Sequence, residues 1–207
     1  AEIRPPARSV AGASGNRIRI GAGRITNGGD ETDLVVAFNE QVLLGRVRDD
    51  ELKRGCTILL ESMWRTNKDP QIAASYAEAY DKLVAAGYKV IEVPMERECL
   101  ALVNDARRGK NMFALGMLCS IYSMELDLAR EQIALTFGKK EKSVIDANVR
   151  LLDAGHGWAE ANLDFKYRIP ATRSTAPQIV VNGNTALALG VLASGMEICA
   201  MYPITPA

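Results

Sequence analysis

Three stretches of this sequence set potentially reactive groups at spacings that carry meaning. The first is Tyr202-Pro203-Ile204-Thr205-Pro206. Each X-Pro step pushes the residue before it towards extended dihedrals, so Tyr202 and Thr205 are both held extended and the turn between them is stiff. The apolar run 196–201 before it reads as a buried strand. A stiff turn at the carboxyl end of a strand is where open α/β sheets place ligands. The residues alone leave two readings open: a hydroxyl presented to a ligand, or a Pro-rich strand exit without chemistry. The second stretch, Lys110-Asn111, opens an apolar helix. A cation beside free backbone N–H groups is a seat for an anion such as a phosphate; the alternative is a solvated lysine followed by a helix-capping asparagine. The third, Gly12-Ala13-Ser14-Gly15, lacks the strand–turn–helix setting of phosphate loops and reads as a structural loop.

Other chemistries are disfavoured by what the chain contains. The four cysteines (Cys56, Cys99, Cys119, Cys199) are far apart, and no pair has the close spacing of a zinc or iron–sulfur site. Cys56, Cys119 and Cys199 stand in apolar runs, where core packing is the expected role of a thiol. The single histidine, His156, sits between Gly155 and Gly157 with no carboxylate pattern around it and reads as a turn residue. Lys plus Arg and Asp plus Glu both number 25, so no basic field favours nucleic acid. Hydrophobic residues make up 48% and charged residues 24%, which supports a sizeable core. No apolar run reaches the length of a spanning helix, and the N-terminus lacks a signal pattern, so a cytoplasmic protein without membrane or nucleic-acid partners is expected.

The elements that must position these groups follow from periodicity and punctuation. Arg17-Ile18-Arg19-Ile20 alternates like a half-buried strand, and Asn27-Gly28-Gly29-Asp30 is a turn signal. A continuous apolar strand is expected over 34–38, as in a sheet covered on both faces. Asn39 then caps a helix over 40–47. A strand over 56–60, a helix over 71–86 begun by Asp69-Pro70 and stopped by Gly87, a strand over 88–93 and a helix over 95–105 continue the alternation. This pattern predicts an α/β fold with a mainly parallel sheet. The helix over 112–124 is hydrophobic nearly all round and is expected to be sandwiched inside the domain or at a subunit contact. Helices are expected over 127–137 and 143–154, the second stopped by Gly155. Residues 165–178 lack periodicity and read as a linker. Beyond them a strand (179–181), a small-residue helix (185–193) and the closing strand form one βαβ unit.

Tyr202-Pro203-Ile204-Thr205-Pro206, downstream of Gly183-Asn184-Thr185-Ala186, resembles the opening of the thiamine-pyrimidine domain of 2-oxoacid:ferredoxin oxidoreductases. Taken in order, the whole chain resembles the alpha subunit of the 2-oxoglutarate type, which carries a fused gamma-type domain at its N-terminus. The matching stretches are Ala1-Glu2-Ile3-Arg4-Pro5-Pro6, Ala11 to Gly15, Asp33 to Asn39, Lys110-Asn111-Met112-Phe113-Ala114-Leu115-Gly116, Asp146-Ala147-Asn148, and the two motifs just named.

That resemblance implies a Rossmann-like gamma-type domain over 1–165, a linker over 166–178, and the start of a thiamine diphosphate pyrimidine-binding domain over 179–207. Family members begin with a further strand, glycine-rich turn and helix, and run far past the Pro-Ile-Thr-Pro turn. The chain is therefore expected to be truncated at both ends, to lack the glutamate that activates thiamine, and to hold no catalytic residue of its own. The implied reaction is oxidative decarboxylation of a 2-oxoacid by thiamine diphosphate with Mg2+, coenzyme A taking up the acyl group. Electrons leave for ferredoxin through iron–sulfur clusters in the beta subunit or elsewhere in the complex. Thr205 is implied to meet the oxoacid carboxylate near the thiazolium, with Pro203 and Ile204 lining the substrate and Tyr202 near the cofactor. A hydroxyl fixed between two prolines donates without losing rotational freedom. Lys110 and Asn111 are implied to lie near the coenzyme A phosphates. Two other classes stay open: an α/β scaffold domain that binds partner subunits, and a nicotinamide dehydrogenase domain, the latter opposed by the lack of Gly-x-Gly-x-x-Gly after any strand.

Overall fold

The computed structural model describes residues 2–4, 15–23, 25–105, 109–170, 179, 181–198 and 200. Strands β1 (Glu2–Arg4) and β2 (Gly15–Arg17) pair antiparallel as a short hairpin. Residues 18–20 do not continue β2, and Ile18 and Ile20 are exposed, so the alternation of Arg17 to Ile20 is not that of a paired strand. What holds this arm is ionic. Arg17 donates to Glu51 Oε2 at 2.6 Å and to the Gly29 carbonyl at 2.8 Å, and Arg46 donates to both oxygens of Glu51 at 2.9 and 2.7 Å. Asn27 closes the turn predicted at this point, its side chain accepting from Gly29 N, with Gly29 at φ +74°.

Strands β3 (Thr32–Ala37), β4 (Leu52–Glu61) and β5 (Lys89–Val93) form a parallel sheet in that order. Helix α1 (Glu40–Arg48) links the first two, and a 3-10 turn (Met63–Thr66) followed by α2 (Pro70–Ala85) links the second two. The caps act as the sequence predicts. Asn39 Oδ1 accepts from Gln41 N, Asp69 Oδ1 accepts from Gln71 N, and Gly87 at φ +83° ends α2. Strand β4 starts earlier than its apolar run suggests, because a register shift around Gly55 (φ +71°) separates the pair Thr32–Leu52 from Leu34–Thr57. Along β4 the side chains alternate. Cys56, Ile58 and Leu60 pack with Leu43 of α1 and with Tyr76 and Leu83 of α2, whereas Leu59 faces the opposite layer. Each strand–helix–strand step moves one place along the sheet with its helix on the same face, as same-handed crossovers require.

The opposite face is covered by α3 (Met95–Leu100), α4 (Lys110–Ile121) and α6 (Lys142–Asn162), with α5 (Leu126–Thr136) packed outside them through Ile133. Helix α3 stops well short of residue 105. Helix α4 is sandwiched, as its all-round apolar sequence predicts: Phe113 and Met117 face the sheet-side core, and Cys119 meets Ile133 and Leu152. Gly155 does not stop a helix; α6 runs straight through Gly155-His156-Gly157. Its role is steric. A Cβ on Gly155 would lie 1.9 Å from the Phe113 carbonyl oxygen, and one on Gly116 would lie 1.9 Å from the Leu152 carbonyl oxygen. The two helices thus cross backbone to backbone on a pair of glycines. His156 is accordingly a helical residue, its Nε2 3.9 Å from Glu160 Oε1 one turn on.

After α6 the chain continues without regular structure to Pro170, held against the first unit. Tyr167 N donates to the Ile121 carbonyl at 2.6 Å, the Tyr167 ring lies 5.5 Å from Tyr122 and 5.7 Å from Phe165, and Lys166 donates to Glu160 at 2.6 Å. Residues 165–167 are therefore docked structure within the first unit, although their composition reads as linker. The chain divides into two compact units between Pro170 and Ala171. In the second unit α7 (Gly183–Ala193) is capped by Asn182, whose side chain accepts from Thr185 N at 2.8 Å, and Gly195 at φ +77° follows it. Ile179 and Val181 lie in no strand, nor do the described residues of 196–200, in contrast to the βαβ expectation.

Candidate functional site

Parallel strands bring their carboxyl ends to one edge, and here β4 ends at Glu61 and β5 at Val93. The chain leaves β4 into the Met63–Thr66 turn and leaves β5 through Pro94 into α3. Between these exits lies a cleft of about 450 Å³ whose walls include Glu61, Ser62, Arg65, Thr66, Glu92 and Arg97. Helix α4 starts beside it. By parity with Leu59, Glu61 points to the α4 side of the sheet, and it is fully buried.

Three charges meet there. Lys110 Nζ is 2.7 Å from Glu96 Oε2 and 3.2 Å from Glu61 Oε2, and it donates to Met63 Sδ at 3.0 Å. Glu61 accepts two backbone N–H bonds as well, Met63 N to Oε1 and Glu96 N to Oε2, each 3.0 Å. The lysine side chain is 14% exposed. It is neither solvated nor a free cation: its charge is committed to two carboxylates, which ties the ends of β4, α3 and α4 together. Asn111 is not a cap; Gly109 occupies the N-cap of α4. Glu61 escaped the sequence reading. Its signal was a lone carboxylate closing the apolar run Ile58-Leu59-Leu60, in register with the inward face.

Arg65 and Arg97 are the cations in the cleft wall. Arg65 Nε donates to Glu92 Oε1 at 2.6 Å, and its guanidinium lies over the rings of Tyr80 and Tyr76 at 4.8 and 5.4 Å. Tyr76 also donates to Glu92 Oε1; its burial, then this carboxylate, push the phenol well above its ordinary range. Arg97 pairs with its neighbour Glu98 at 2.9 Å. The Arg97 side chain, 78% exposed, keeps donors available to an anion. Among the described residues this edge holds no ready nucleophile: the Cys99 thiol nearby is buried and pushed up to about 11 by that burial.

A second cleft, of about 340 Å³, opens between the first turns of α1 and α2, with Asn39, Glu40, Trp64, Asp69 and Ser75 in its walls. Glu40 is 3% exposed, and its Oε2 has no hydrogen-bond partner, the one such buried side-chain atom among the described residues. An orphaned buried polar atom costs about 1–3 kcal/mol. An acid in a first turn gains about 0.3–1 kcal/mol from the helix dipole. The stability of α1 does not explain this residue.

The residues Tyr202, Pro203, Ile204 and Thr205 lie outside the described residues, as do Gly12 to Ser14 and Cys199. Among the described residues no group of His, Cys, Asp or Glu is placed to hold a metal ion, and no helix is long and apolar enough to cross a membrane.

Residues 6–158 match the family described as pyruvate ferredoxin/flavodoxin oxidoreductase. The chain belongs to this family. Over 222 aligned residues, 100% of the chain, it is 32% identical to the 2-oxoglutarate oxidoreductase subunit KorA of Mycobacterium tuberculosis, of which it covers 34%. It is 29% identical to the ketoisovalerate oxidoreductase subunit VorA of Methanothermobacter marburgensis, over 67% of the chain and 25% of that protein. A solved 2-oxoglutarate:ferredoxin oxidoreductase from Magnetococcus marinus, with 2-oxoglutarate, coenzyme A and succinyl-CoA bound, superposes with a TM-score of 0.68 at 25% identity. That match covers 89% of this chain and 30% of the other. The chain thus spans about a third of the length of its oxidoreductase relatives.

Proposed function

We propose that these residues are part of the alpha subunit of a 2-oxoacid:ferredoxin oxidoreductase, with 2-oxoglutarate as the oxoacid. The observation that carries this reading is the alignment with the mycobacterial 2-oxoglutarate oxidoreductase subunit along the whole chain. The competing ketoisovalerate activity belongs to a relative matched over a smaller share. In this proposal the first unit is the gamma-type domain, and the second, from the segment before α7, opens the domain that receives the thiamine diphosphate pyrimidine with its Mg2+.

When bound, thiamine diphosphate supplies the nucleophile and electron sink for oxidative decarboxylation. The chain's own part is orientation. Thr205, fixed between Pro203-Ile204 and Pro206, donates to the oxoacid carboxylate, and Tyr202 borders the cofactor. The cleft beside Lys110 and Asn111 faces the coenzyme A phosphates with Arg65 and Arg97, and the Glu61–Lys110–Glu96 group holds that edge in shape. A beta subunit and ferredoxin complete the route for electrons. The test is reduction of a viologen dye by the full protein assembled with its partner subunit, in the presence of coenzyme A. Turnover with 2-oxoglutarate well above that with pyruvate or ketoisovalerate is expected; equal turnover, or preference for the branched oxoacid, refutes the assignment.

A further inference from the structure

We propose that the cleft between the first turns of α1 and α2 binds an organic cation, an ammonium or guanidinium group, on the Glu40 carboxylate. The cleft is separate from the one between the exits of β4 and β5, and the function proposed above assigns it no role. Its acidic side chains are Glu40 and Asp69, and among the described residues no lysine, arginine or histidine lines it. The positive ends of two helix dipoles partly offset these carboxylates, each equivalent to roughly half a unit charge. An excess of negative charge remains, which selects against phosphates and carboxylates.

The donor that such a cation would supply has a stand-in already. The Gln41 amide nitrogen donates to Glu40 Oε1 at 3.3 Å and to Ser75 Oγ at 3.1 Å, a neutral N–H group spanning two residues of the same wall. The first of these bonds is long, and Glu40 Oε2 is left without any partner. Gln41 is exposed and can swing away, letting a charged N–H donor take its place on Glu40 Oε1. A charge-assisted bond of this kind is stronger than the amide's. Trp64, whose indole N–H is fixed on the Phe38 carbonyl at 2.8 Å, stands in the wall as an aromatic surface for the cation.

The cation can be a free amine or a side chain of a partner subunit, and one experiment separates them. Agmatine, which carries both groups, is titrated by calorimetry into the assembled oxidoreductase and into the full-length chain purified apart from its partner. Saturable binding to the assembly, weakened about tenfold by Glu40→Gln, supports a free ligand. Binding to the separated chain but not to the assembly, again lost in Glu40→Gln, supports a partner's side chain. Asp69→Asn, which keeps the cap of α2, should weaken binding less and serves if the first variant is poorly folded. Without agmatine, Glu40→Gln should melt no lower than the parent. Absence of binding in both preparations, or binding that neither substitution alters, overturns the proposal.

Discussion

Replacing Gly155 by alanine tests the packing of the whole layer behind the sheet. The added Cβ would stand 1.9 Å from the Phe113 carbonyl oxygen, against a limit near 3.0 Å for real Cβ atoms, so α4 and α6 must part by about 1 Å. The obstacle is backbone on both sides and cannot rotate away. Overpacking of this sort costs about 1–3 kcal/mol, and a rigid obstacle puts it at the upper end. Alanine returns about 1 kcal/mol in helix propensity, leaving a net loss near 2 kcal/mol. In a chain of this size that lowers Tm by about 4–8 °C. Gly157→Ala is the internal control, since nothing lies within 4 Å of its Cβ position on the same helix. It should raise Tm by about 2–4 °C, through propensity alone. Thermal unfolding followed by circular dichroism reads both. If Gly155→Ala melts at or above the parent, or the two variants shift together, the backbone-to-backbone crossing is wrong.

Lys110→Met should destabilise by about 3–5 kcal/mol, because it leaves the fully buried Glu61 beside Glu96 with no countercharge among the described residues; an unchanged urea midpoint would show the group to be dispensable. Burial by itself raises the pKa of Glu51, but the hydrogen bonds and charges of Arg46 and Arg17 outweigh it and hold the carboxyl below its ordinary value of 4.5. A folded-state value below the unfolded one means that this stabilisation is present above about pH 4.5 and is lost as the pH falls through the folded value. Glu51→Gln should accordingly flatten the acid limb of a stability–pH curve, and an unaltered limb would remove the ionic anchor of the N-terminal arm. In the full enzyme, Thr205→Val should lower turnover with little change in melting; unchanged kinetics would take that hydroxyl out of the site.

The elements legible in the sequence are those fixed by local chemistry. Asn39 and Asp69 announce their helices because their side chains satisfy first-turn N–H groups, and Gly87 ends one because it tolerates a positive φ. The apolar girth of α4 likewise foretold burial on two sides. What escaped notice depends on partners distant in sequence. Gly155 looks like a stop signal until Phe113 is laid against it. Lys110 looks like a surface cation until Glu61 and Glu96, from two other elements, close around it. Tyr167 and Phe165 sit in linker-like composition, yet pack on Tyr122 and beneath Lys89. Single-residue chemistry shows such groups, but their register across the fold decides their use.

Cys56, Cys99 and Cys119 each belong to a different hydrophobic cluster: the α1–α2 side of the sheet, the α4 side, and the outer seam with α5. All three thiols are sealed in and held above their ordinary range by burial. The fold thereby carries one silent alkylation clock per layer. The order in which the three react with a thiol reagent in dilute urea reports which stratum of the molecule loosens first, with no label or substitution introduced.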